Sequence, residues 1–223
     1  MLPWLPENVS TYGTKIDSLF YLIFWITTIV FVLVQAALVW FIIKYRQKPG
    51  QRAVYTHGNT TLEIAWTIAP SIILVVLALL SRATWHEIKE TVPPFEYEVE
   101  VMAKQFNWDF LYPGPDKKFG TADDVTLEND LNVPVNKVVR VTLKSRDVIH
   151  SFFLPHLRFK QDTLPGRSII GWFEATKAGK YEIPCAELCG FGHSGMKGWL
   201  TVHSAEDYNR WVQERWPSGN GGA

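Results

Sequence analysis

Hydrophobic and polar positions follow two patterns along this chain, long apolar runs within the first 85 residues and short, period-two stretches later. Positions 18–43, SLFYLIFWITTIVFVLVQAALVWFII, contain no charged residue. About 20 consecutive apolar residues are enough for a helix to cross a bilayer, so a spanning helix is predicted over 18–43. A second run, LEIAWTIAPSIILVVLALLS, predicts another over about 62–84. Beyond residue 91 the period shortens to two. In FEYEVEV, Phe95, Tyr97, Val99 and Val101 fall on one face of a strand, and Glu96, Glu98 and Glu100 on the other. Further short runs, KVVRVTL, HSFFLP, SIIGWFEA and GWLTVH, are mostly bounded by Pro, Gly or Asp. Many short strands with turn residues between them predict a small antiparallel sandwich or barrel. Only SAEDYNRWVQERW reads as a helix, capped by Ser204, and PSGNGGA reads as a loose tail. The expected organisation is a membrane α-hairpin within 1–91, an all-β sandwich over 92–216 and a flexible tail over 217–223.

Charge orients this arrangement. The connection between the two apolar runs carries Lys44, Arg46, Lys48 and Arg52 and no acid, so the positive-inside rule places it in the cytoplasm. Both termini and the sandwich then lie on the extracytoplasmic, oxidising side. A cleaved signal peptide is not expected, because the first apolar core exceeds the usual length and Glu7 and Asp17 precede it. The whole chain has 22 Lys and Arg against 22 Asp and Glu, which gives a nucleic-acid partner no electrostatic support. Two spans with few polar residues do not line a pathway alone. Gln35 and Glu63 favour a helper packed on a larger membrane partner over a plain anchor. Glu63 reads either as a first-turn acid favoured by the helix dipole or as a functional acid beside the bilayer.

In YPGPDKKFGTADDV, 112–125, Gly and Pro predict a long hairpin loop. Asp116, Asp123 and Asp124 lack the alternating acid spacing of a calcium loop, so a solvated hairpin is expected.

The chemistry concentrates in YEIPCAELCGFGHSGM, 181–196, which holds both cysteines of the chain, a histidine and a methionine. A disulfide is allowed outside the cytoplasm, but gives no reason for His193 and Met196 to follow at these positions. Zinc takes Cys, His and carboxylate ligands, and a thioether is not among them. Thiolate, imidazole and a weak axial thioether form the ligand set of a copper electron-transfer site. A mononuclear blue site needs one thiolate, and two thiolates raise the prospect of two bridged coppers. Two metals need a second imidazole. His150, in DVIHSFFLP, opens a strand after a polar turn and is favoured over His156 and His203 for that place.

On these residues the chain resembles subunit II of the haem-copper oxidases, specifically cytochrome c oxidase. CAELCGFGHSGM carries the resemblance, supported by DVIHSF, DTLPGR at 162–167, LEIAWTIAP at 62–70 and QFNW at 105–108. The resemblance implies a cupredoxin-like sandwich and a binuclear, mixed-valence copper A centre. Cys185 and Cys189 would bridge its ions, with His150 and Met196 completing one, and His193 and the Glu187 carbonyl the other. It implies electron uptake from a cytochrome c type donor and delivery to haem in subunit I, which also holds copper B. There oxygen is reduced to water with proton pumping. The Glu187 side chain would reach a magnesium ion shared with subunit I, and Asp162 and Arg167 would tie the domain to it, or form a surface ion pair. The family usually shows QWxW with its first Trp exposed for electron uptake; here Phe106 takes that place, with Trp108 as the second aromatic. Trp108 has ordinary core packing as its alternative role. Glu63 matches the acid at the cytoplasmic mouth of a proton pathway. The implied setting is a bacterial-type cell inner membrane, among lipid and the other oxidase subunits.

Rivals are a membrane-anchored copper chaperone or thiol reductant, which would need alternating strands and helices, and a quinol oxidase subunit II, which lacks the cysteines. Nitrous-oxide reductase also carries copper A, but within a larger soluble protein. No CXXCH is present, so no haem c is expected on the chain.

Overall fold

The computed structural model describes residues 5–217. These form two compact units, one of Lys15–Glu87 and one combining the residues up to Thr14 with those from Ile88 onward.

The first unit contains nearly all of the two long helices, α1 (Gly13–Lys44) and α2 (Thr60–Trp85). Both extend past the predicted limits, since polar residues flanking an apolar run continue the same turns. Side chains over 30–43 and 61–76 are exposed throughout, as expected of surfaces that face lipid or a membrane partner. At the end of α1 the Lys44 ammonium lies 4.2 Å from the Trp40 ring centroid, pairing a cation with an aromatic of the kind that anchors helix ends at a bilayer surface. The Asn59 side chain caps α2 by accepting the Leu62 N–H at 3.1 Å. Pro70 lies inside α2, where it removes one helical hydrogen bond. Thr67 and Ser71 hydroxyls turn back onto the Glu63 and Thr67 carbonyls at 2.8 and 2.6 Å, so these polar side chains spend their donors within the helix.

The second unit is a sandwich. Its larger sheet joins β3 (Val125–Glu128), β2 (Asn107–Tyr112), β1 (Tyr97–Lys104), β5 (Val138–Ser145) and β8 (Ile169–Glu174), in that order. Facing it are β4 (Asp130–Pro134), β10 (Lys197–His203) and β9 (Gly179–Pro184), and the pair β6 (His150–Leu154) with β7 (Phe159–Thr163). The β1–β5 and β4–β10 pairings are parallel. The remaining ladders run antiparallel, so the sheet is mixed rather than wholly antiparallel as predicted.

Period-two alternation explains the core. Val99 and Val101 of β1 and Val139, Val141 and Leu143 of β5 point inward and are buried. On the outer face Glu100 meets Lys144 at 2.6 Å and Glu98 meets Arg140 at 3.3 Å. Phe95, assigned to the same inward face, lies before β1 and stays 38% exposed, with the Arg140 guanidinium 4.9 Å from its ring centroid. The terminal helix, α3 (Ala205–Arg215), starts where predicted, with the Ser204 hydroxyl accepting the Asp207 N–H. It buries Tyr208 and Trp211. The tail expected at 217–223 lies outside the described residues from position 218 on.

The N-terminal segment departs from the expected division. Rather than belonging with the helices, it lies along the end of β8. Ser10 bridges Ala175, Thr11 N–H donates to the Glu174 carbonyl, and Thr176 N–H donates to the Val9 carbonyl. Val9 and Tyr12 are buried there, and the Tyr12 ring stands edge-on to Trp172 at 5.1 Å. Two apolar side chains in a polar stretch were too few to mark this strap in the sequence.

In the 112–125 hairpin, Asp116 accepts the Lys118 N–H and Asp124 accepts the Gly120 N–H. The Asp123 carbonyl accepts the Trp216 indole N–H at 2.7 Å. Two of the three acids therefore close turns, as short Asp side chains do.

Candidate metal centre

The loop from Cys185 to Met196 leaves β9 and returns into β10, and its two ends are clasped. Cys185 N–H donates to the Met196 carbonyl at 3.1 Å, and Cys185 also bridges Phe152 of β6. Inside the loop, a short 3-10 turn at His193–Gly195 places the Met196 side chain inward, fully buried. Gly190 adopts φ +138°, a region that residues with a Cβ rarely enter. A Cβ on Gly192 would lie 2.5 Å from the Phe106 ring, so Phe106 closes over the loop only because glycine is there.

The donors converge. The two sulfurs are 3.9 Å apart; the His150 Nδ1 is 3.9 Å from Cys185 and the His193 Nδ1 is 3.6 Å from Cys189. The Met196 sulfur is 3.8 Å from Cys189, and the Glu187 carbonyl oxygen is 3.3 Å from Cys185. His150 Nδ1 or Nε2, Cys185 and Cys189 form the one cluster of three such ligand atoms within 4.8 Å of one another among the described residues. His156 and His203 lie elsewhere, against the Glu7 carbonyl and the Asn132 side chain respectively.

This donor set fits copper. A disulfide needs sulfurs about 2.05 Å apart, whereas at metal–sulfur bonds of about 2.3 Å a spacing of 3.9 Å lets one ion reach both thiolates. Thiolates, imidazoles and a thioether together match soft-donor copper chemistry rather than zinc. Burial, and then the neighbouring Cys185, push the Cys189 thiol up to about 11, so a cation is what would hold the sulfurs as thiolates near neutral pH. His150, Cys185, Cys189 and Met196 thus make a candidate copper site.

Behind the loop the site rests on dry core. Trp108 is completely buried, edge-on to His150 at 6.2 Å and to Phe152 at 5.3 Å. This placement gives Trp108 a packing role beneath His150 and leaves half-buried Phe106 as the aromatic nearer the surface. Exposed apolar side chains stand on both ligand-bearing loops: Leu188 and Phe191 on one, Val148 and Ile149 on the other. Glu187 is exposed, Arg167 is exposed, and Asp162 accepts the Ser151 hydroxyl at 2.7 Å. Glu63 lies in the first turn of α2.

Two polar residues around the site escaped the sequence reading. Asp147 accepts a hydrogen bond from the His150 Nε2 at 2.8 Å. Gln105 donates its side-chain N–H to the Cys189 carbonyl at 2.7 Å. Burial opposes the charge on Asp147, but hydrogen bonds from His150 and from the Gln105 and Val148 N–H groups outweigh it and hold the carboxyl below its ordinary value. The DXXH spacing in DVIH was the available signal for Asp147. Nothing local marked Gln105.

Two helices long and apolar enough to span a membrane, a β-sandwich and its loop of soft donors define the class: a membrane protein with a cupredoxin-like metal site. The family Cytochrome C oxidase subunit II, periplasmic domain, matches residues 94–202, and its transmembrane domain matches residues 4–83. Alternative cytochrome c oxidase subunit 2 of Bradyrhizobium diazoefficiens is 31% identical, over 96% of this chain and 84% of that protein. Cytochrome c oxidase subunit 2 of Thermostichus vulcanus is also 31% identical, over 94% and 78%. The crystal structure of the periplasmic domain of subunit II of cytochrome oxidase from Bradyrhizobium japonicum aligns with a TM-score of 0.50 at 33% identity, covering 56% of this chain and 96% of that one. The chain belongs to the cytochrome c oxidase subunit II family and is a membrane subunit of that oxidase.

Proposed function

We propose that this subunit takes single electrons from a cytochrome c type donor outside the membrane and passes them to haem in subunit I through a binuclear copper A centre. The observation that carries this reading is the pairing of donors: two thiols 3.9 Å apart, each with its own imidazole nearby. Cys185 and Cys189 would bridge the ions, His150 and Met196 would complete one, and His193 with the Glu187 carbonyl the other. Two copper ions held this way would supply a one-electron carrier whose charge change is spread over both metals and both sulfurs. The chain's contribution is to hold those donors still. Clasped loop ends, a buried Met196 and the aromatic floor of Trp108 and Phe152 limit their movement and exclude water.

Several finer roles belong to the same proposal. Leu188, Phe191, Val148 and Ile149 offer apolar surface of the kind that partner proteins cover, with Phe106 as the aromatic for electron uptake. The exposed Glu187 carboxylate is free to reach a magnesium ion shared with subunit I. Asp162 and Arg167 would contribute to that contact. Glu63 would stand at the cytoplasmic mouth of a proton pathway, with both termini on the periplasmic side of a bacterial-type inner membrane. Copper titration of the full chain, followed by metal analysis after desalting, tests the central claim. Two coppers per chain are expected, and a plateau at one would overturn it.

A further inference from the structure

Three turns meet at the metal loop, and one carboxylate sits where they join. Gln105 lies in the turn between β1 and β2, Asp147 in the turn between β5 and β6, and Cys189 in the loop between β9 and β10. The Asp147 carboxylate accepts three hydrogen bonds: from the His150 Nε2 at 2.8 Å, the Gln105 backbone N–H at 2.7 Å and the Val148 N–H at 2.7 Å. The Gln105 side chain then donates to the Cys189 carbonyl at 2.7 Å. Gly190 allows this approach, since a Cβ there would come within 2.7 Å of the Gln105 amide nitrogen. The turn itself is pinned, with the Ser145 hydroxyl bonded to the Val148 carbonyl and the Arg146 N–H to the Ala103 carbonyl.

We infer that Asp147 is a positioning residue for His150, and that Gln105 couples it to the cysteine loop, so that the pair sets the tautomer and donor strength of one imidazole. This rests on the copper reading above. A neutral imidazole has one N–H and one lone pair, and an acceptor at one nitrogen fixes the lone pair at the other. Asp147 faces Nε2, so the proton is held there and the Nδ1 lone pair points toward Cys185. A negative acceptor also makes the ring a stronger donor, as carboxylates behind metal-bound histidines do. Stronger donation favours the oxidised centre, and loss of the carboxylate therefore raises the midpoint potential. Gln105 acts on the other side, restraining the backbone at Cys189 relative to the same carboxylate.

The test compares wild type with Asp147→Ala in the apo state, and with Asp147→Asn and Gln105→Leu in the copper-loaded state. In the apo full chain in detergent, labelled with 15N-histidine, the wild-type His150 ring is expected as the Nε2–H tautomer, and Asp147→Ala as a mixture. Wild-type His150 protonated at Nδ1, or the same single tautomer in Asp147→Ala, would overturn the inference. In the copper-loaded oxidase complex, Asp147→Asn is expected to keep its copper and to favour the reduced state at fixed ambient potential by threefold or more. A tenfold shift in that ratio corresponds to about 59 mV. Asp147→Asn and Gln105→Leu are both expected to hold copper about 10- to 100-fold more weakly in competition with a chelator. Unchanged potential and unchanged affinity in that competition would sink the proposal. Should the wild type bind no copper pair, the copper A reading falls separately, and the nitrogen spectra decide the role of Asp147 by themselves.

Discussion

Replacing Gly192 by alanine adds one methyl group at the point where Phe106 closes over the metal loop. An ideal Cβ at Gly192 would lie 2.5, 2.7 and 2.8 Å from three carbons of the Phe106 ring, against ordinary carbon contacts of about 3.5–4.0 Å. Either the ring or the loop must move by about 1 Å, and overpacking of this kind costs about 1–3 kcal/mol. The backbone does not add to that penalty, because Gly192 has φ −89° and ψ 10°, which alanine accepts. With the ring removed by Phe106→Ala, the three nearest contacts are gone, and the same substitution is expected to stabilise by about 0.4–1 kcal/mol through the unfolded chain. The two changes are therefore expected to couple by more than about 1 kcal/mol in a double-mutant cycle. Denaturant unfolding of the full chain in detergent, followed by tryptophan fluorescence, measures it. Additive effects would refute the close packing of Phe106 on the loop.

Met196→Leu conserves volume at a fully buried position, so it is expected to keep both coppers and shift only the midpoint potential; complete loss of metal would contradict the assigned roles. Tyr12→Ala removes the buried ring that stands against Trp172 and is expected to destabilise the sandwich by about 3 kcal/mol. A change within about 0.5 kcal/mol, the range of ordinary surface substitutions, would mean the N-terminal strap contributes nothing. Burial holds the His203 imidazole below its ordinary value despite Asp207 and Asp130 nearby. The unfolded chain therefore takes up that proton first as pH falls, and stability is full above about 6.5 and declines as pH drops from there through the folded value. His203→Gln is expected to lessen this decline in unfolding midpoints measured across the acid range, and identical profiles would contradict it.

What the sequence disclosed and what it withheld follow from the range of the interactions. Two long apolar runs were legible as spanning helices, because length and composition are local properties of the chain. β1 was legible through alternation, with Val99 and Val101 inward and Glu98 and Glu100 outward, and β5, β6, β8 and β10 as short apolar runs between turn residues. β4 and β7 were not, since LNVP and FKQDT alternate too weakly and take their strand form from the neighbours they pair with. Cys185, Cys189, His193 and Met196 share one short loop, so spacing alone revealed them. His150 needed a fold to bring it across, and the bridge between Phe152 and Cys185 is the contact that does so. Trp108 illustrates the opposite case. Its place in a QFNW stretch pointed equally to surface and core, and only the packing of β2 against β6 buries it. The strap of 9–12 and the link from Gln105 to Cys189 join residues far apart in the chain, with no local pattern to mark them.

The central claim is that the two cysteines hold two equivalent coppers sharing one electron. Electron paramagnetic resonance of the copper-loaded, partly oxidised protein tests it most directly. Delocalisation over both nuclei predicts a seven-line hyperfine pattern at two coppers per chain. A four-line spectrum from a single copper would contradict the account.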